Sequence, residues 1–323
     1  MSQETFTITE NDLALVDALQ VNARASWTSI GEALQLSPHT LARRWSYLKA
    51  HGLAWTEAMP GSAAFKGVFL EVVCKRGELA TTRDALHRVP QVMTVGRVLG
   101  DYDLYALAVA PDHHALSRLM TQHIDPLDVV HVRSHAYTEV YGGPSWRLTI
   151  LNQSQVATLR ERSSRPLRVA AISPEDEALF SALGGDARRG FAHLARDLAV
   201  PPQSVRRRME RMMRRELLAF RAEVARPKAG WPLAAVVRLQ VADESLREIG
   251  AGLGEWPETR FAAATIGDTN LVWIVNLREP DHLEVLLSEL RRRYGGVVRV
   301  VQRALILASP SSTVGCSTRT DAP

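Results

Sequence analysis

Cysteine is nearly missing from this 323-residue chain. Cys74 and Cys316 are its two, far apart in sequence, which suggests neither a disulfide framework nor a cysteine-based zinc site and suits a reducing cytoplasm. Lysine is scarce too: Lys49, Lys66, Lys75 and Lys228 are four of 39 basic residues. Such an arginine bias is what a GC-rich genome produces, so the net charge of +4 says less about a polyanionic partner than the distribution of that charge does. No apolar run reaches 18 residues, which excludes a membrane span. Met1 to Glu10 is polar, with neither a basic nor an apolar stretch, and does not read as a signal peptide. No Ser/His/Asp or Cys/His set stands in a catalytic context, and no glycine-rich phosphate loop is present. The expectation is a protein that is not an enzyme and carries no cofactor. His113, His114, His123, His131 and His135 invite a metal reading, but His131 and His135 lie four apart on a strand, about 13 Å, too far to share one small ion.

What the chain does have is itself, twice. Shifted by 164 residues, Asp12, Leu15, Ala18 and Leu19 meet Asp176, Leu179, Ala182 and Leu183. Ala23-Arg24 meets Ala187-Arg188, Trp27 meets Phe191, Pro38 meets Pro202, and Arg43-Arg44 meets Arg207-Arg208. A shift of 167 then aligns Leu79, Leu86 and Pro90 with Leu246, Leu253 and Pro257, and Gly100-Asp101 with Gly267-Asp268. The period is too long for a solenoid and reads as a duplicated two-domain unit.

The first domain of each unit reads as three helices. Thr9 caps Asn11 to Gln20, Ser26 caps Trp27 to Leu34, and Ser37-Pro38 starts a third helix that Gly52 ends. Leu41, Trp45 and Leu48 line the buried stripe of that helix. The three-residue link Gln35-Leu36-Ser37 makes a helix-turn-helix, whose second helix lies in the major groove of DNA. Its outward positions are His39, Thr40, Arg43, Arg44 and Ser46, and the candidate contacts are Ser37, His39, Thr40, Arg43 and Arg44. In the second unit, Ala192 to Leu198 and Pro202 to Arg215 repeat the pattern with Val205, Met209 and Met212 inward. Gln203, Ser204, Arg206, Arg207, Arg208 and Arg211 are the candidate contacts there. Double-stranded DNA is the expected partner.

The second domain of each unit reads as βαββαβ: strand Lys66 to Cys74, helix Glu78 to His87, strands Val92 to Leu99 and Leu104 to Val109, helix Asp112 to Gln122, strand Val129 to Val140. The fold class is therefore α+β, two tandem units of a helix-turn-helix domain followed by a ferredoxin-like domain. The boundaries read as 8–58, 64–145, a linker at 152–171, 172–225, 231–308 and a disordered tail at 309–323.

A helix-turn-helix followed directly by βαββαβ resembles the Lrp/AsnC, or feast/famine, family of regulators. Leu13 to Leu19, Ser37, Thr40-Leu41, Arg44, His51-Gly52-Leu53 and Gly100-Asp101-Tyr102-Asp103-Leu104 carry the resemblance. It implies a RAM-type second domain, homo-oligomers formed through that domain, and a small effector such as an amino acid near the Gly100, Asp101, Tyr102, Asp103 turn. The matching turn, Gly267, Asp268, Thr269 and Asn270, lacks the tyrosine and one acid, and Pro201 replaces the cap serine. A plain hairpin in which Gly100 supplies a positive φ is the competing reading of the first turn. Siroheme decarboxylases resemble the same family in both domains and are the alternative function. Thr56 to Gly67 lacks the Arg-Arg-rich segment expected of them.

Overall fold

The computed structural model describes residues 8–61, 66–89, 91–143, 146–160, 173–183 and 186–307. Helices α1 (Glu10–Val21), α2 (Trp27–Leu34) and α3 (Pro38–Ala50) are followed by β1 (Ala54–Pro60), β2 (Lys66–Val73), α4 (Leu79–His87), β3 (Val92–Leu99), β4 (Leu104–Ala110), α5 (His113–Leu119) and β5 (His131–Gly142). After α6 (Gln153–Leu159) the order returns as α7 (Pro174–Leu183), α8 (Phe191–Asp197), α9 (Pro202–Arg214), β6 (Leu218–Val224), β7 (Leu233–Val241), α10 (Leu246–Gly254), β8 (Thr259–Thr265), β9 (Leu271–Leu277), α11 (His282–Tyr294) and β10 (Val298–Leu307). The proposed tail and most of the proposed linker lie outside the described residues, as does Cys316. No described helix is long and apolar enough to cross a membrane.

The compact units do not follow chain order. One draws on Met1–Ala64 and Arg147–Ala225, the other on Phe65–Trp146 and Arg226–Ser312. In the first, α1 opens with a capping box in which Thr9 Oγ1 accepts from Asp12 N and Thr9 N donates to Asp12 Oδ2. Ser26 and Ser37 cap α2 and α3 as their sequence positions predict. Pro201 offers α9 no side-chain bond. In both turns before the third helix one non-glycine residue is left-handed, Gln35 at φ 57° and Ala199 at φ 52°, which turns the chain sharply at some cost in strain. The unit also contains elements the sequence reading passed over: β1 and β6 form an antiparallel ladder centred on Glu57↔Arg221.

In the second unit, β3-β4-β2-β5 and β8-β9-β7-β10 each have the strand order of a ferredoxin-like sheet. The two do not stay separate. β5 pairs with β8 and β10 with β3, closing one eight-stranded barrel with no free edge. Registers repeat 167 residues apart: Lys66↔Ala110 matches Leu233↔Leu277, and a shift between Val92 and Thr94 matches one between Thr259 and Phe261. Side chains alternate along each strand. Val68, Leu70 and Val72 pack outward with Leu86 and Leu119 of α4 and α5. They are covered by α4 and α5 of their own half. Phe69 instead faces inward, among Tyr105, Val236 and Val272.

Candidate nucleic-acid interface

The recognition helices are best read from their buried stripes outward. On α3, Leu41, Trp45 and Leu48 are buried; on α9, Val205, Met209 and Met212. His39, Arg43 and Ser46 are exposed on α3, as are Gln203, Arg206, Arg207, Arg211 and Arg214 on α9. Thr40 and Ser204 are half-buried. Ser37 and Thr40 are occupied with each other, since Thr40 N donates to Ser37 Oγ at 3.1 Å and their hydroxyls lie 2.7 Å apart.

The repeated Arg-Arg pairs divide into two jobs. Arg44 makes a two-pronged bond to buried Asp12, Nε to Oδ1 at 2.8 Å and Nη2 to Oδ2 at 2.5 Å. At the matching place Arg208 and Arg211 donate to Asp176 at 3.2 and 3.3 Å. Burial alone would raise both carboxyls. Arg44 and Thr9 hold Asp12 below the usual range, and Ser173 with the two arginines does the same for Asp176. Arg44, Arg208 and Arg211 thus brace the third helix against the first in each module, a use that their outward helical positions did not reveal. Their neighbours Arg43 and Arg207 carry no ion pair among the described residues and face solvent, as does Arg214. Among the described residues Arg206 pairs with Glu210 one turn on, at 2.9 Å.

The two modules are fastened to each other by reciprocal arginines. Arg188 Nη1 donates to Ala23 O and Ala25 O, both at 2.9 Å, and its guanidinium sits 4.0 Å from the centre of the Trp27 ring. Arg24 returns the arrangement, donating to Ala187 O and Arg189 O and lying 4.9 Å from the Phe191 ring centre. Burial, then the charge of Arg24 nearby, pulls Arg188 down to about 10. Lys49 bonds Asp186 at 2.7 Å. A further brace holds the first module alone. Buried Asp17 accepts from Arg147 at 3.0 Å through each of Nε and Nη2, and from Ile150 N and Leu151 N at 2.8 Å.

At the turn candidates in the barrel unit, Asp103 Oδ2 accepts from Cys74 N at 2.7 Å. Asn270 does the matching work, accepting from Val241 N at 2.9 Å and donating to Val241 O at 2.7 Å. The acid missing from the second turn was therefore a turn brace, and Asn replaces it in kind. Tyr102 is 4% exposed, and its hydroxyl has no hydrogen-bond partner among the described residues; burial, then Glu71, pushes its ionisation far up. Thr269, at the matching position, is also buried and accepts from Arg238 at 2.5 Å. Asp101 and Asp268 are exposed, with Asp101 taking a 3.0 Å bond from Gln302. Gly100 does not adopt a positive φ, as the hairpin reading required. A Cβ there would stand 2.8 Å from the Ala304 Cβ, so close packing demands the glycine. Gly267 is the one with positive φ, +144°.

Inside the barrel lies a group that sequence reading missed. Arg238 Nη1 donates to Glu71 Oε1 at 2.9 Å, and His135 Nδ1 lies 3.1 Å from Arg238 Nη2. Burial would raise Glu71, but His135 and Arg238 hold it low. Two charged residues interrupting otherwise apolar strands, Glu71 in KGVFLEVV and Arg238 in LAAVVRLQV, were the available signal.

Comparisons with known proteins fit this arrangement. An uncharacterized HTH-type transcriptional regulator of Pyrococcus furiosus is 27% identical over 123 residues, 38% of this chain and 83% of that protein. The HTH-type transcriptional regulator LrpA of Pyrococcus horikoshii is 22% identical over 130 residues, 40% of this chain and 92% of that one. Among solved structures, the siroheme decarboxylase NirDL shares the fold across 92% of this chain and 91% of its own, at a TM-score of 0.56 and 12% identity. Residues 8–49 match the AsnC-type helix-turn-helix domain and residues 67–142 the Lrp/AsnC ligand binding domain, so the first half of the chain carries both.

Proposed function

We propose that this chain is a DNA-binding transcriptional regulator in which a tandem duplication places two helix-turn-helix modules on one polypeptide. The observation that carries the reading is the pair Arg43 and Arg207, exposed at matching positions of α3 and α9 while their neighbours are bonded inward. Free guanidinium groups on the outer face of such helices suit guanine edges and phosphate. The names of the similar regulators support it. The protein acts in the cytoplasm, and its barrel halves are RAM-type domains that respond to a small effector, an amino acid or related metabolite. Exposed Asp101 and Asp268 are the carboxylates available for an amino group. Further association into homo-oligomers belongs to the same proposal.

The decarboxylase reading rests on fold likeness at 12% identity, and fold does not fix function. The described barrel interior holds Phe69, Tyr105, Val236, Val272 and Ile274 packed in one apolar cluster. Fluorescence anisotropy on fragments bound in a genome-wide selection tests the regulator reading. Arg43→Ala with Arg207→Ala should weaken binding by roughly tenfold to a hundredfold at fixed salt. Unchanged binding, or a protein that purifies with tetrapyrrole colour, would sink it.

A further inference from the structure

Positions 164 apart in the helical unit, and 167 apart in the barrel, occupy matching places. Wherever such a pair touches, it sits on the local two-fold relation. Glu57 and Arg221 are one such pair, facing each other at the centre of the β1·β6 ladder with Nε to Oε1 at 2.9 Å. Glu71 and Arg238 are another, in the barrel, again at 2.9 Å. These contacts lie in separate units and arise independently. In both, the first half of the chain supplies the acid and the second half the arginine, and all four side chains are largely buried.

Bulk follows the same division at several places inside the barrel, while Phe261 of the second half outweighs its match Thr94. Phe69 matches Val236 and Tyr105 matches Val272. His135, opposite Phe69, matches Ala304, opposite Val236. Tyr102 matches Thr269. At each of these the first half contributes the larger side chain.

We infer that the halves are coded for each other by charge and bulk, so that the partner fitted by the first half is a second half, not another first half. Pairing first halves from two chains would bury Glu57 against Glu57 without its arginine, and would set Glu71 against Glu71 with only His135 and the exposed Arg133 of its own half nearby, which is unfavourable. It would also crowd two sets of aromatic rings into one barrel. Pairing second halves would set arginine against arginine, eased at Arg221 by Glu223 of its own half but not at Arg238. A single-unit protein could join through these surfaces only by presenting a basic, small-residue face to the first half. Larger assemblies must use other surfaces. The inference is independent of whether the protein binds DNA.

The test uses full-length chains. One carries Glu57→Arg with Glu71→Arg, a second Arg221→Glu with Arg238→Glu, and a third all four changes. Each two-site chain alone should melt at least about 10 °C below the parent or refold poorly. The four-site chain should recover most of that loss. Co-refolding the two two-site chains under different tags should give a 1:1 complex melting above either alone, because exchanged halves restore both pairs. Two-site chains that melt like the parent would overturn the inference, as would a mixture and a four-site chain that both melt no higher than the two-site chains. Bulk has its own check: Val236→Phe with Val272→Tyr should lower Tm, and an unchanged Tm would remove bulk from the code.

Discussion

The helical unit and the barrel join their halves by different means, and the difference separates what must be repeated from what must be matched. Across the helical seam Arg24 and Arg188 reach matching carbonyls, and within each module Asp12 and Asp176 hold matching arginines. Across the barrel interior, corresponding residues differ and complement one another, as Glu71 and Arg238 do. Two helices that face one duplex gain from equivalent placement, because site symmetry mirrors protein symmetry. A closed interior has only to be filled once and neutralised once.

The largest effect should come from the reciprocal arginines. Arg188→Ala strips two backbone carbonyls of their donor and uncovers Trp27, and should cost about 3 kcal/mol by urea unfolding. Arg24→Ala should cost about the same, and the double variant less than the sum, since the residues share one interface. A gap of more than about 1.5 kcal/mol between the single variants would break the equivalence of the two sides.

Acid sharpens the comparison next. Asp12 and Asp176 both titrate below an unfolded aspartate. A depressed folded value means stability that is fully present above the unfolded value near pH 4 and is lost as pH falls through the folded one. Asp12→Asn should cost about 2 kcal/mol at neutral pH and remove part of that acid loss. Asp176→Asn should do less, because its bonds are longer and single-pronged. A stability profile flat from pH 6 to 2, or a larger loss for Asp176→Asn, would contradict the bonding described here.

Much of this was legible in the residues. Caps at Thr9, Ser26 and Ser37, strand alternation, and gapless self-alignment are local signals, and the elements they predict lie within a residue or two of the observed ends for most of the chain. What stayed hidden was tertiary. Arg44 and Arg43 look alike on a helical wheel, and only Asp12, 32 positions away, decides which one is free. The β1·β6 ladder joins segments 164 apart, and neither strand alternates cleanly enough to announce itself. Barrel closure depends on two strand edges finding each other, which no pattern within either half records. The Asp103 turn brace was hidden in the same way, since its bond to Cys74 N joins residues 29 apart.

The smallest expected effect per residue is also the one that best separates the two recognition helices. Counting arginines in the sequence favours α9 heavily, but several of those charges are spoken for by Asp176 and Glu210, and Lys49 of α3 is held by Asp186. Among the described residues this leaves Arg43 on α3 against Arg207 and Arg214 on α9 as exposed groups without an ion pair. Each cation that meets a phosphate contributes roughly 0.9 to the slope of log affinity against log salt. Arg207→Ala with Arg214→Ala should therefore flatten that slope by up to about 2 per chain, and Arg43→Ala by up to about 1. Arg44→Ala should leave the slope nearly unchanged while lowering stability, because its charge is committed to Asp12. The asymmetry predicts an operator less palindromic than a symmetric dimer would select, with the α9 side tolerant of base changes and sensitive to salt. Equal flattening by Arg43→Ala and by the α9 pair would end the distinction between the helices. A large slope change from Arg44→Ala would show that the Asp12 bond opens when DNA arrives.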